Sequence, residues 1–165
     1  MTQPEIRAAY QEHKDAVYRF AWRMTGSADS AEDIVQECFL SLVRNPNGYK
    51  AGRAPLRAFL LAVARNQARK RWRREHRWDT LDEEAFAAEP VDAAAGQTAE
   101  LVGQAIQSLP PLQRESLVLF EYEDLTLEEI ARAVEAEVGT VKARLQRARE
   151  NLRRMLAPLR PGKGS

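Results

Sequence analysis

Apolar residues recur at three- and four-residue spacings along most of this chain, and no stretch sustains the alternation of a half-buried strand. The pattern predicts an all-α protein. Val17, Phe20, Ala21 and Met24 mark the buried face of a first helix that ends near Gly26. Asp29 or Ser30 is placed to cap a second, whose core stripe is Ala31, Ile34, Val35, Cys38 and Leu42. Turn chemistry in Asn45-Pro46-Asn47-Gly48 stops it. A loop over residues 49–55 leads to a long helix over residues 56–74, with Phe59, Leu60 and Val63 inward.

Near the C-terminus, residues 125–152 predict two short amphipathic helices joined by a tight turn. Thr126 followed by Glu129 is a capping box, in which each side chain satisfies an orphan backbone N–H at the helix start. Leu125 and Ile130 flank that cap as a hydrophobic staple. In the second helix Val141, Leu145, Ala148, Leu152 and Leu156 form one apolar stripe. Lys142, Ala143, Gln146 and Arg147 fall off it. A helix-turn-helix lays its second helix in the major groove, where amides and guanidinium groups suit base edges and lysine finds phosphate.

Charge sharpens the partition. The formal net charge is only +1, but residues 1–74 carry 14 Lys/Arg against 7 Asp/Glu, residues 75–100 carry 1 against 8, and residues 101–165 carry 10 against 9. The chain therefore divides into a basic N-terminal helical domain (1–74), a flexible acidic linker (75–100) with a weak helix before Pro90, and a C-terminal helix-turn-helix domain (101–160). A tail over 161–165 follows. The last turns of the N-terminal domain concentrate Arg69, Lys70, Arg71, Arg73 and Arg74, which favour a polyanion as neighbour. Cations at a helix C-terminus also complement its dipole, but so dense a cluster exceeds that need.

Several classes are excluded. No apolar run approaches the roughly 18 residues of a membrane span, and the N-terminus lacks a signal-peptide core, so no membrane insertion is expected. Cys38 is the one cysteine, so no internal disulfide forms and a reducing cytoplasm fits. Its place on a core stripe marks it as a small buried hydrophobe. His13 and His76 have no ligand-spaced companions, so neither a metal nor a cofactor is expected. With no nucleophile–base set or phosphate-cradling loop, an enzyme is the least favoured class. A regulator acting through residues 109–156 alone would leave the basic N-terminal domain unexplained.

Taken together, Tyr18-Arg19-Phe20 through Met24-Thr25-Gly26, AEDIVQECFLSL at 31–42, AVARNQARKRWRR at 62–74, LPPLQRESLVLFEYEDLTLEEIA at 109–131 and GTVKARLQRARENL at 139–152 resemble a known family. In order and spacing the chain is similar to bacterial RNA polymerase sigma factors of the extracytoplasmic-function group of the sigma-70 family. The resemblance implies core RNA polymerase, promoter DNA and an anti-sigma factor as partners. It also implies that Asp33, Gln36, Glu37 and Leu40 dock on the polymerase clamp helices. The loop over 49–56 would receive a flipped base of the −10 element, with Tyr49 stacking and Lys50 and Arg53 holding phosphates. Asn66, Arg69, Lys70 and Arg73 would line the −10 DNA, and Thr140, Lys142, Ala143, Arg144, Gln146 and Arg147 would read the −35 element.

Three positions depart from the family pattern. Lys70 stands where an acidic residue is frequent, Phe59 replaces a tryptophan, and Glu135 occupies a turn position that often holds glycine. Acidic linker residues Asp82, Glu83, Glu84, Glu89 and Asp92 either mimic a polyanion inside the polymerase or serve as a solubilising spacer. Trp72 and Trp78 flank the start of that linker, where they pack its end down or, for Trp72, stack on DNA.

Overall fold

The computed structural model describes residues 1–75 and 86–161. All regular structure among them is helical. The elements are α1 (Gln3–Thr25), α2 (Ala28–Arg44), α3 (Leu56–Glu75), α4 (Thr98–Ser108), α5 (Pro111–Leu117), α6 (Leu127–Ala133) and α7 (Val138–Met155), ending in a 3-10 turn over Ala157–Leu159.

The N-terminal three helices follow from their apolar stripes. α1 buries Val17, Phe20 and Ala21, α2 buries Ala31, Ile34 and Cys38, and α3 buries Leu60, Leu61 and Ala64. Each large side chain so buried contributes about 1.5–3 kcal/mol. The α1–α2 corner needs a left-handed residue, and Gly26 supplies it at φ 68° while its N–H donates to the Trp22 carbonyl (2.7 Å). The cap of α2 is Ser27, whose hydroxyl accepts from the Ser30 N–H, rather than Asp29 or Ser30. Asp29 instead sits in the first turn, where a negative charge suits the helix dipole. In α3, Phe59 and Val63 are only half-buried, and Ala58, Leu61, Ala64 and Ala68 complete the inward face with Leu60.

The connector is more closely held than its composition predicts. Trp78, Asp82, Glu83 and Glu84 lie outside the described residues, as does most of the segment predicted to form a helix before Pro90. Residues 86–90 are not helical. Phe86, Ala88 and Val91 interrupt the acidic run and pack partly against the core, and the Val91 N–H donates to the Met155 carbonyl at 2.8 Å. Glu89 and Asp92 remain exposed.

In the C-terminal half, α5 runs into one widened turn, Val118–Tyr122, which closes with the Glu123 N–H donating to the Val118 carbonyl (3.1 Å). Such a π-turn shifts the following residues round the axis. Asp124 at φ 56° then turns the chain, leaving the Glu123 side chain fully buried. α6 begins with the expected capping box, Thr126 Oγ1 accepting from Glu129 N–H (3.1 Å) and Glu129 Oε1 from Thr126 N–H (2.8 Å). Leu125 and Ile130 are both buried beside it.

Between α6 and α7, Glu135 adopts φ 55°. The turn therefore keeps the left-handed conformation and tolerates a side chain there, a strain of roughly 1–2 kcal/mol. Glu135→Gly is expected to raise stability by about 0.5–1 kcal/mol, the relief of strain being offset in part by the greater freedom of glycine in the unfolded chain. The urea midpoint at unchanged m-value measures it.

The two halves share one hydrophobic core. α6 packs on α3, and α4 and α5 pack on α1. At the α1–α2 corner the contact is close enough that a Cβ on Gly26 would lie 2.7 Å from Gln107 Oε1 of α4.

Candidate polymerase-docking and DNA-reading surfaces

α2 presents Asp33, Gln36 and Leu40 to solvent and Glu37 half-exposed, on the side away from its core stripe. Asp33 pairs with Arg71 of α3 at 3.2 Å and Glu37 with Arg44 at 3.3 Å. Both pairs are exposed enough to exchange for intermolecular partners at small cost. Leu40 and Val43 are 43% and 55% exposed, and with Ile6, Tyr10 and Phe39 they line a shallow apolar depression beside the acidic groups. An apolar centre with charged edges suits a protein surface.

The loop before α3 is built from inside. The Tyr49 hydroxyl donates to the Ala54 carbonyl (2.8 Å), and its ring packs tilted on Phe59 with centroids 5.2 Å apart. Tyr49 therefore braces the loop, with Phe59 as its ring partner, and also lines the cavity beside it. Lys50 and Arg53 are exposed on the rim of a cavity of about 380 Å³, whose far wall is Glu128, Glu129 and Arg132 of α6.

Asn66, Arg69, Lys70 and Arg73 are exposed on α3. Asn66 accepts from Arg65 Nη1 (3.3 Å). Burial, with the positive neighbours Arg65 and Arg73, holds the Arg69 guanidinium below the usual arginine range, while Glu115 and Glu135 act in the opposite sense. Arg69 and Arg73 line a second cavity of about 490 Å³ between α3 and the start of α5, together with Trp72. Trp72 is half-buried there.

α7 divides by face. Val141, Leu145 and Ala148 are buried; Thr140, Lys142, Ala143, Gln146 and Arg147 are exposed. Gln146 Nε2 donates to Glu150 (3.1 Å), a surface bond that water or a base edge can replace. Arg144 differs from the others. It is half-buried, with Nη1 enclosed and without a hydrogen-bond partner among the described residues.

The residues that sequence reasoning missed lie between the halves. Arg65 of α3 makes a bidentate pair with Glu115 of α5, Nε to Oε2 at 2.6 Å and Nη2 to Oε1 at 3.0 Å, and both side chains are almost fully buried (2% and 5% exposed). Arg57 donates to the Glu123 main-chain carbonyl and to Glu123 Oε1 (3.0 Å), and Arg19 reaches the same oxygen at 3.4 Å. Arg114 donates to the Met24 carbonyl at the end of α1, and Arg132 to the Arg53 carbonyl. Burial lowers the Arg114 pKa to about 10. Sequence carried one faint signal for these pairs: acids in the C-terminal half face an excess of base in the N-terminal half.

Glu123 is the titrating member of this set. Desolvation pushes its carboxyl above the ordinary value of 4.5, outweighing the pull of Arg19, Arg57 and Arg23. Oε2 has no hydrogen-bond partner among the described residues. The folded protein thus binds this proton more tightly than the unfolded chain, so its stabilising effect is full below pH 4.5 and is lost as pH rises through the raised value. Relative to Glu123→Gln, the wild-type protein is expected to lose stability as pH rises above 4.5, as urea titrations of both at stepped pH would show.

Cys38 donates its thiol to the Leu60 carbonyl (3.4 Å), and burial pushes its pKa up to about 12, so it behaves as core. Among the described residues no group of His, Cys, Asp and Glu is arranged to hold a metal, and no helix is long and apolar enough to cross a membrane.

Comparison with known proteins bears on what these surfaces are. Residues 9–78 match the sigma-70 region 2 family and residues 99–152 match sigma-70 region 4. The chain is 34% identical to the ECF RNA polymerase sigma factor EcfG of Rhodopseudomonas palustris over 141 residues, covering 83% of this chain and 77% of that protein. It is 32% identical to SigE of Mycolicibacterium smegmatis over 154 residues, covering 89% of this chain but 60% of SigE, so it spans about three-fifths of that relative. The sigma factor RpoE of Bartonella quintana, solved in complex with the anti-sigma factor NepR, shares the fold with a TM-score of 0.72 at 24% identity, over 90% of this chain and 94% of that one. Regions 2 and 4 in order, and a relative above 30% identity matched over most of its length, establish that this chain belongs to the ECF group of the sigma-70 family of RNA polymerase sigma factors.

Proposed function

We infer that this chain binds core RNA polymerase and directs initiation at promoters carrying paired −10 and −35 elements, with its two halves dividing that work. Residues 1–74 dock on the polymerase through Asp33, Gln36, Glu37 and Leu40 and handle the −10 element through Lys50, Arg53, Asn66, Arg69, Lys70 and Arg73. Tyr49 contributes by fixing the shape of the base-receiving loop. Residues 101–160 read the −35 element through Thr140, Lys142, Ala143, Gln146 and Arg147, and Arg144 braces the reading helix from its half-buried position. The segment over 75–100 joins them, with residues 161–165 as a tail.

The observation that carries this reading is the clean division of α7: a buried apolar stripe anchors it, and the opposite face offers an amide and two cations to solvent. A helix so mounted can enter a major groove without disturbing its own domain. The mechanism is positional. Two readers tethered on one polymerase select promoters of one spacer length, because the first contact raises the effective concentration of the second. Capture of an unstacked base offsets part of the cost of melting, and RNA synthesis belongs to the polymerase, so the chain performs no catalysis of its own. It acts in the cytoplasm, where the polymerase and its template are. The B. quintana relative was solved with an anti-sigma factor, which supports a protein antagonist for this chain as well.

Co-purification with core polymerase followed by run-off transcription from a promoter library tests the proposal. Sequence-specific DNA binding without core, and no initiation with it, would overturn it. On a promoter so found, Arg147→Ala is expected to cost about 1–3 kcal/mol and relax preference at one −35 position, whereas Lys142→Ala weakens binding uniformly and lowers the salt slope by about one.

A further inference from the structure

We propose that the cavity between α3 and the start of α5 binds a free nucleoside polyphosphate, with its base against Trp72 and its phosphates among the arginines.

The cavity measures about 490 Å³. Clefts that hold small ligands span about 300–1,000 Å³ and favour places where two structural units meet. Its walls come from three separate stretches of the chain. The α1–α2 corner supplies Met24, Thr25, Ser27 and Ser30, α3 supplies Ala68 and Trp72 beside a row of arginines, and α5 supplies Pro111, Leu112 and Arg114. Apolar walls carrying a few polar groups suit a planar ring with a charged tail.

Charge decides the sign of that tail. Five arginines line the cavity against two glutamates. Arg65 is neutralised by Glu115, and Arg71 faces Asp33. Arg114 is in a different position. It is half-buried, and its hydrogen bonds among the described residues go to the neutral main-chain carbonyls of Met24 and Leu109. Carbonyl oxygens satisfy N–H groups but leave the net charge uncompensated, and a guanidinium has N–H donors to spare for an anion. Arg69, exposed on α3, carries the repulsion of Arg65 and Arg73. Both cations gain from a phosphate brought into the cavity. The remaining carboxylate, Glu75, is exposed at the end of α3, where it can turn to water.

Trp72 decides the other end of the ligand. Its indole is half-buried in the wall. Stacking a base on such a ring is worth about ten- to a hundredfold in affinity. A nucleic-acid strand would have to run on beyond the nucleotide on both sides, whereas α5 walls one side; a free nucleotide ends with the cavity. Arg69 and Arg73 also belong to the surface assigned to the −10 element, so a bound nucleotide would compete there with DNA. That consequence alone rests on the −10 assignment.

The full chain is titrated calorimetrically with ADP, GTP, adenosine and pyrophosphate. ADP or GTP is expected to bind at least about tenfold more tightly than adenosine or pyrophosphate, because only the nucleotides engage both ends of the site. Trp72→Ala should cut nucleotide affinity about tenfold and leave pyrophosphate unchanged. Leu112→Trp, which fills the cavity from a half-buried position, should abolish nucleotide binding. Excess nucleotide should then raise the urea midpoint of the wild type and not that of Leu112→Trp.

No binding of either nucleotide would overturn the proposal. So would pyrophosphate binding as tightly as ADP with Trp72→Ala without effect, which would reduce the site to surface charge. Undiminished nucleotide affinity in a folded Leu112→Trp protein would place the ligand elsewhere and overturn it equally. Displacement of a fluorescent single strand by the nucleotide tests the consequence separately. If both bind at once, the nucleotide site stands and the assignment of Arg69 and Arg73 to the −10 element fails.

Discussion

Glu115→Leu alone is expected to destabilise the folded protein by about 3–5 kcal/mol, and adding Arg65→Met to recover all of that loss or more. Both partners are within 5% of complete burial, and two short hydrogen bonds join them. Removing the carboxylate strands a guanidinium in an apolar interface, where its Born cost is no longer offset. Removing both charges withdraws the desolvation cost along with the attraction, and two apolar side chains of similar volume fill the site. Equilibrium urea unfolding of the two variants measures the difference. Equal losses in the single and double variants would show that the pair is solvated in the native state.

Phe20→Ala should cost about 3–5 kcal/mol. Phe20 is fully buried in α1, which packs against both α2 and α3. Deleting its ring leaves a cavity that the surrounding helices, packed on one another, close only in part. The effect reaches function through α2. Asp33, Gln36, Glu37 and Leu40 form one surface only while Ile34, Val35 and Cys38 hold that helix on α1 and α3. Polymerase affinity is therefore expected to fall together with the urea midpoint. By contrast, Leu40→Ala, at an exposed position, should weaken polymerase binding and leave the midpoint within about 0.5 kcal/mol of wild type. A Phe20→Ala protein with an unchanged midpoint would contradict the packing described.

The helices were legible wherever local rules act alone. The 3.6-residue stripes of α1, α2 and α7, the Thr126–Glu129 capping box and the Gly26 stop are each decided by residues within about one turn of one another, and all recur in the structure. The exposed faces of α2 and α7 were equally legible, because a helix that buries one stripe must offer the other side. Where neighbours several residues away compete, the reading slipped: Ser27 rather than Asp29 or Ser30 caps α2, and the widened turn over Val118–Tyr122 carries no signal in periodicity. Nothing in the sequence pairs Tyr49 with Phe59 and Ala54, its partners in the structure.

By itself, then, the sequence determined an all-α chain with a basic N-terminal half, a reading helix near its C-terminus and the family that combination marks. Whether the halves stand apart or together was decided only in three dimensions. Arg65 and Glu115 lie fifty positions apart and Arg57 and Glu123 sixty-six. Each looks, in its own helix, like one more solvated charge. Whether such a charge is solvated or buried depends on which surface meets it, and no periodicity records that. Arg19, Arg57 and Arg65 meet this protein's own glutamates, while Arg69, Lys70, Arg73 and Arg74 stay exposed.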